Sequence, residues 1–379
     1  MTNWSERTLD ELGYVSRGRS RNRPRDAEHL YGGDYPFIQT GDIKHSNLYI
    51  TEYSQTYSEA GLEQSRLWKA GTLCITIAAN IADTAILSFD ACFPDSVIGF
   101  IADEDKADAR FIKYLFDALL QKQFQQFSQG AAQDNLSQEK LLSLKFPIPD
   151  LKIQHRIADI LSSYDDLIEN NRRRIDLLAQ SARLLYNEWF VFLRFPGHEH
   201  VKVKDGLPQG WVEKPLGEIF EFKHGKAINV ADEGDFPIYG SNGIIGKTNE
   251  VRCENAIIIG RVGAYCGSIN YCLTRFSASD NTIIASPLLS SGFGENFAYR
   301  LLTNLDLRRF ASGAAQPLLT QSILNKLNTL VPPSSLCLEY ESVASNLFSL
   351  QTVLEKENTN LRQARDLLLP RLMNGEIPV

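Results

Sequence analysis

The stretch "FSQGAAQDNLS" at residues 127–137 returns as "FASGAAQPLLT" at residues 310–320. Phe127 and Phe310, the Gly-Ala-Ala-Gln tetrad and a closing hydroxyl residue, Ser137 or Thr320, recur at one internal spacing. Each copy runs into a leucine-rich segment and then a proline step, "LLSLKFPIPD" in the first and "ILNKLNTLVPPS" in the second. A Ser or Thr ahead of such a segment is a helix N-cap signal, because its oxygen accepts from an otherwise unpaired N–H of the first turn. The repetition therefore predicts a duplicated fold.

Working outward, the halves keep corresponding. Trp4, Leu9, Glu11 and Gly18 match Trp211, Leu216, Glu218 and Gly225. "GDYPFIQTGDI" at 33–43 parallels "GDFPIYGSNGI" at 234–244, and the runs "GTLCITIAANIADTAIL" and "NAIIIGRVGAYCGSI" read as strands in matching places. Within the second half, "YGSNGIIGKT" at 239–248 superficially suggests a phosphate loop. That motif needs Gly, four residues, then Gly-Lys-Ser/Thr opening a helix. Here Ser241 stands where the first Gly is required, and the following residues lead into an apolar strand-like run. The glycines are expected to form a loop between strands, as is their first-half counterpart "IQTGDIKHS".

Segments of another kind follow each β-rich unit. Ile157, Leu161, Tyr164, Ile168, Ile175, Leu178, Ala182, Leu185 and Trp189 recur in steps of four and three, interrupted by Asn171. A second seam runs through Tyr340, Val343, Leu347, Leu350, Leu354, Leu361, Leu368 and Leu372, with Asn358 near its middle. The first seam makes a helix of about 50 Å at 1.5 Å rise per residue. Two long helices with one-sided apolar stripes are expected to pair as an antiparallel coiled coil separating the β-rich units. Asn171 and Asn358 are expected to face one another and fix its register.

The bulk properties exclude several classes. With 379 residues, 43% hydrophobic and 22% charged, the chain has the composition of a globular protein of two or more domains. No apolar run approaches a membrane span and no signal peptide is recognisable, so a cytoplasmic protein without membrane contact is expected. Six scattered cysteines without a C-x-x-C pair point to buried thiols, and no metal site is expected. Although the net charge is −7, "SRGRSRNRPRD" sets Arg17, Arg19, Arg21, Arg23 and Arg25 at every second position. Extended, such a run would turn all five guanidinium groups to one side, where they would neutralise nucleic-acid phosphates.

A β-rich unit, a long helix, a similar unit and a second long helix, spread over essentially the whole chain, resemble the specificity subunit of type I restriction-modification systems. The resemblance is carried by the paired "GAAQDNLS…FPIPD" and "GAAQPLLT…VPPS" endings, by "QHRIADILSSYDDLIENNRRRIDLLAQSARLLYNEWF" at 154–190, by "LPQGWVEKPLGEI" at 207–219, and by "LRQARDLLLPRLMNGEI" at 361–377. It implies an α+β chain of two repeated α/β target recognition domains, residues 1–150 and 206–332, separated by a two-helix antiparallel coiled coil with pseudo-twofold symmetry. The coil would use spacer segments 151–205 and 333–379. It also implies a non-catalytic subunit that reads a bipartite double-stranded DNA target and scaffolds two modification (methyltransferase) subunits and a restriction (translocase/endonuclease) subunit. This chain would bind no cofactor; S-adenosylmethionine, ATP and Mg would belong to the partners. Lengthening either coil by whole heptads should change the spacer of the target and leave its half-sites alone.

Candidate DNA contacts follow from chemistry, since recognition domains vary most within such a family. The arginine run offers phosphate contacts. Lys44, His45 and Asn47 in "GDIKHSN", and Asn242, Lys247 and Asn249 in the glycine-rich stretch, are read as polar loops suited to base edges or phosphates. Arg261 and Tyr265 lie between glycines that permit close backbone approach. Gln133 and Gln316 recur identically, which suits loop organisation or backbone contact better than reading two different half-sites. Rival readings are a stand-alone Mg-dependent endonuclease built on Asp95, Glu104 and Lys106, an orphan DNA-binding scaffold, and a methyltransferase with a fused recognition domain. The second half keeps Asp280 but no Glu-x-Lys, and the chain has neither a glycine-rich cofactor loop after a strand nor an Asn-Pro-Pro-aromatic tetrad.

Overall fold

The computed structural model describes residues 4–78, 81–128, 137–231, 233–313 and 316–379, giving the backbone for 120–128. Two compact units result, one comprising Met1–Arg172 with Lys356–Val379 and the other Arg173–Glu355.

The first unit is built on a five-stranded sheet in the order Gly13–Arg17, Val97–Ala102, Leu73–Thr76, Thr84–Leu87, Tyr49–Ile50, antiparallel except for the last, parallel pair. Strands Leu73–Thr76 and Thr84–Leu87 are buried at every position because both faces are covered. Leu73 and Ile75 point to one face, against Phe111, Ile112 and Leu115 of helix Ala109–Ser128. Cys74, one residue out of phase, packs with Trp68, Leu87 and Phe93 on the other. Each such large side chain contributes about 1.5–3 kcal/mol by leaving water. Strand Ser5–Arg7 closes the unit by pairing with Phe146–Ile148.

The second unit repeats this plan. Its sheet runs Phe220–His224, Thr282–Pro287, Cys253–Gly260, Ile269–Ala278, Phe236–Gly240, Gly243–Thr248. Helix Glu295–Asn304 sets Phe297 and Leu301 against Ile257 and Ile259, while Ile258, Cys272 and Phe276 fill the opposite face. Val212–Pro215 pairs with Asn328–Val331 as Ser5–Arg7 pairs with Phe146–Ile148. The expected caps are both made: the Ser137 hydroxyl accepts from Lys140 N at 3.1 Å and that of Thr320 from Ile323 N at 3.2 Å. Matched glycines have matched reasons. Gly18 N donates to Val97 O and Gly225 N to Thr282 O, and a Cβ would lie 2.3 Å from Pro94 O at Gly18 and 2.0 Å from Ser279 O at Gly225.

The halves diverge where the two "GD-x-P" stretches end. In the first, the Asp42 carboxylate accepts from Gln39 N at 2.8 Å and opens the short helix Thr40–His45. In the second, Gly243 occupies that position with φ +97 and the chain reverses through Ser241 and Asn242 into a hairpin. Both segments were expected as loops. A capping carboxylate decides otherwise in the first, while in the second the left-handed Gly243 makes a turn between strands as expected, confined to Ser241 and Asn242, and residues 243–248 join the strand.

The two long helices are Leu151–Tyr186, continued by a π turn at Asn187–Val191, and Ser334–Met373. Every residue of the first expected seam is buried or half-buried. The second seam needs correction, because Val343 and Leu350 are 43% and 39% exposed while Ala344 and Gln351 turn inward. Gln351 donates to Ile175 O at 3.1 Å, a polar use of a seam position that an apolar pattern cannot register.

Candidate nucleic-acid interface

In the first unit, the end of the sheet where Leu73–Thr76 terminates gathers the arginine run. Gly18 N and Arg19 N donate to Val97 O and Phe93 O, which ties the run to the start of strand Val97–Ala102. The run is not extended as expected. Only Arg17 lies in a strand, and residues 18–27 form an irregular loop. Arg17 Nε donates to Asp95 O at 2.8 Å and Arg25 pairs with the Asp95 carboxylate at 2.8 Å. Arg23 folds back onto the carbonyls of Ser20 and Asn22. That leaves the exposed guanidinium groups of Arg19 and Arg21 with no hydrogen bond or ion pair among the described residues.

Lys44 and His45 stand in the last turn of helix Thr40–His45, with Asn47 just beyond, so they belong to no loop of their own. His45 Nδ1 lies 2.7 Å from Gly41 O. Lys44 and Asn47 line a cavity of about 450 Å³ with Asp83, Lys113, Asp117 and Arg365. His45 and Asn47 line another of about 250 Å³ with Asp42, Glu52 and Glu169. Burial raises the Asp83 carboxyl above its usual range and Lys44 partly offsets this. Carboxylates interleaved with the cations of both cavities make this a poorer setting for phosphate than the arginine loop.

The second unit assembles a similar end. Arg261 N donates to Asn281 O, Leu319 N to Arg261 O and Gly263 N to Pro317 O, so the Arg261–Tyr265 turn is stitched to the segment carrying Gln316. The hairpin tip joins them through Ser241 Oγ, which donates to Asn281 O at 2.7 Å. Asn242, Arg261, Tyr265 and Gln316 are thus brought to one end of the sheet, with Tyr265 58% exposed. Arg261 donates to Asp280 O, and its Nε is buried without a partner. Lys247 and Asn249 sit at the other end of the hairpin. Lys247 is paired inside the edge strand opposite Pro237, and Asn249 accepts from Asp235 N. Gln133 lies outside the described residues.

Sequence reading missed Lys226, Arg308 and Arg309. Lys226 N donates to Ala278 O beside the Arg261 turn, and a Cβ on Gly267 would lie 2.6 Å from Arg308 N. All three are exposed. The signal for Lys226 was available in the repeat, which aligns it with Arg19, one residue after the matched glycines.

Other chemistries find no support among the described residues. Asp95 and Glu104 flank opposite ends of strand Val97–Ala102, about 20 Å apart at strand rise, and cannot share a metal ion. No cluster of His, Cys, Asp and Glu with metal-holding geometry occurs among the described residues. Gly246 and Lys247 lie in a strand with no helix following, so no phosphate cradle forms. The cysteines are free and five of the six are buried. Burial pushes the Cys337 thiol up to about 12. No helix among the described residues is long and apolar enough to cross a membrane.

The seam polar residues Asn171 and Asn358 are both buried. Asn358 Nδ2 donates to Ile168 O at 3.3 Å, less than one helical turn from Asn171. Asn171 Nδ2 and Asn358 Oδ1 are left without partners, a donor and an acceptor. Nearby, buried Asp165 accepts from the Tyr114 hydroxyl and pairs with Arg365. In the second unit Tyr340 donates to Ala182 O at 3.3 Å, and Arg300 to Ala179 O at 3.1 Å.

A family model described as "Type I restriction modification DNA specificity domain" matches residues 1–180 and again 208–336. The chain is 24% identical over 415 residues to the type I restriction enzyme MjaIX specificity subunit of Methanocaldococcus jannaschii, covering 99% of this chain and 94% of that protein. To the EcoprrI specificity subunit of Escherichia coli it is 25% identical over 323 residues, covering 80% and 78%. The crystal structure of a type I restriction-modification system S subunit from M. genitalium shares the fold, with a TM-score of 0.64 at 22% identity over 98% of this chain and 96% of that one.

Proposed function

The chain belongs to the type I restriction modification DNA specificity family, and on that premise we propose that it reads a split double-stranded DNA target, one half per repeated unit. It is a specificity subunit, non-catalytic by itself. The observation that carries the reading is the pair of matched sheets, each presenting cationic side chains at the same end: exposed Arg19 and Arg21 in one unit, and in the other exposed Lys226 with half-buried Arg261, beside exposed Asn242 and Gln316. Arg and Lys there suit phosphates, Asn242 suits a base edge, and Gln316, repeated as Gln133, suits loop organisation or backbone contact. Arg17, Arg23 and Arg25 shape the loop that presents Arg19 and Arg21.

The long helices act as an antiparallel coiled coil that spaces the recognition domains with pseudo-twofold symmetry, a reading supported by the opposite sense of the pairings 165 with 365 and 168 with 358, and of 175 with 351 and 182 with 340. Asn171 and Asn358 set its register. Ile160 and Leu167, and further along Leu177 and Leu184, are exposed a heptad apart on the first helix. Such faces suit helices of two modification subunits, which would supply S-adenosylmethionine chemistry, while a restriction subunit would supply ATP- and Mg-dependent translocation and cleavage. Methylation-sensitive sequencing of DNA from cells expressing the chain with those partners tests this. Two methylated half-sites around a fixed spacer are expected, and a continuous motif would overturn the reading.

A further inference from the structure

Arg19 and Lys226 occupy the same place in the two units. Each follows a glycine that has no room for a side chain, Gly18 against Pro94 O and Gly225 against Ser279 O. Each donates its backbone N–H to a matched carbonyl, Arg19 to Phe93 O at 3.0 Å and Lys226 to Ala278 O at 3.0 Å. Both side chains are exposed, and neither makes a hydrogen bond or ion pair among the described residues. Glu250, the carboxylate that feels Lys226, is already held by Arg252 at 2.7 Å. The backbone at both sites is therefore fixed while the cationic tip is left available.

The neighbours on the same ends differ. Arg17 aligns with His224, Ile77 with Arg261, and helix Thr40–His45 with a hairpin. Two half-sites of different sequence have only the sugar-phosphate backbone in common. A cation preserved in place while its surroundings change suits that common element and does not suit a base edge.

We infer that Arg19 and Lys226 are equivalent phosphate clamps, one per half-site, which seat each recognition unit on the duplex without reading sequence. This rests on the two-part DNA-reading function proposed above. The salt dependence of binding isolates it, because each phosphate contact contributes a slope of about 0.9 in log K against log [salt]. The full chain, assembled with its modification subunits, is titrated by fluorescence anisotropy against duplexes carrying its mapped target, a mismatch in either half, or an unrelated sequence. Arg19→Ala and Lys226→Ala should each lower the slope by about 0.9, weaken binding to all duplexes by one common factor and leave the mismatch penalties unchanged. The double variant should lower it by about 1.8, and Lys226→Arg should keep the wild-type slope. An unchanged slope in both single variants, or a mismatch penalty that shifts in one half-site, overturns the clamp. A wild-type assembly with no preference for a split target would instead overturn the reading beneath it.

Discussion

Asp108 shows how single side chains anchor the first unit. Its carboxylate is buried, which opposes ionisation, yet hydrogen bonds from Arg110 and His155 outweigh this and hold its pKa below the usual value. Gln154 completes the knot, accepting from Asp108 N and donating to the carbonyls of Lys106 and Pro149. This gives a physical reason for the "QH" that opens the 154–190 stretch. A depressed folded-state pKa stabilises fully above the unfolded carboxylate value, about 3.9, and that contribution is lost as the pH falls through the lower folded value. Asp108→Asn should therefore cost about 1–3 kcal/mol at neutral pH, and urea midpoints of variant and wild type should converge on acidification. The buried Asp165–Arg365 pair makes a sharper case. Arg365→Met leaves the carboxylate without its cation and should cost about 3–5 kcal/mol in denaturant unfolding, with part recovered by adding Asp165→Asn.

Among the elements, the long helices carry the most exposed test. Asn358 is buried between the helices with one amide atom paired and one unpaired, which costs stability and disfavours shifted pairings. Asn358→Leu should raise the unfolding free energy by about 1 kcal/mol, and cysteines introduced at Ile168 and neighbouring seam positions should cross-link to several partners where the parent gives one. A destabilised variant with a single cross-link would mean that the amide acts only as a hydrogen-bond partner. The second seam also shows the limit of apolar patterning. Val343 and Leu350 satisfy the four-three spacing as well as Ala344 and Gln351 do, and only contact with the neighbouring helix selects between them.

For the whole molecule, the proposed function makes helix length a ruler. A matched heptad inserted into both long helices adds about 10 Å, which corresponds to about three base pairs at 3.4 Å each. Methylation mapping should then return the same half-sites with a longer spacer; altered half-sites would mean that the helices take part in reading. The duplication, the caps at Ser137 and Thr320 and the first helical seam were legible in the sequence alone, because each is a local or periodic pattern whose physics acts within a few residues. The sites were less legible. The arginine run looked like one extended array until Asp95, distant in sequence, took up Arg17 and Arg25. Lys44 and Lys247 looked like loop residues until a capping carboxylate and a strand pairing claimed their segments. Lys226 was readable from its alignment with Arg19, whereas Arg308 and Arg309 became visible only once folding carried their segment against Gly267. The sequence by itself determined that this chain is a repeated β-rich unit with paired long helices, since repetition and periodicity are written in order along the chain. Which charged groups stay free for a ligand was decided only by tertiary structure, because a side chain's partners come from segments that folding, and not sequence proximity, brings within reach.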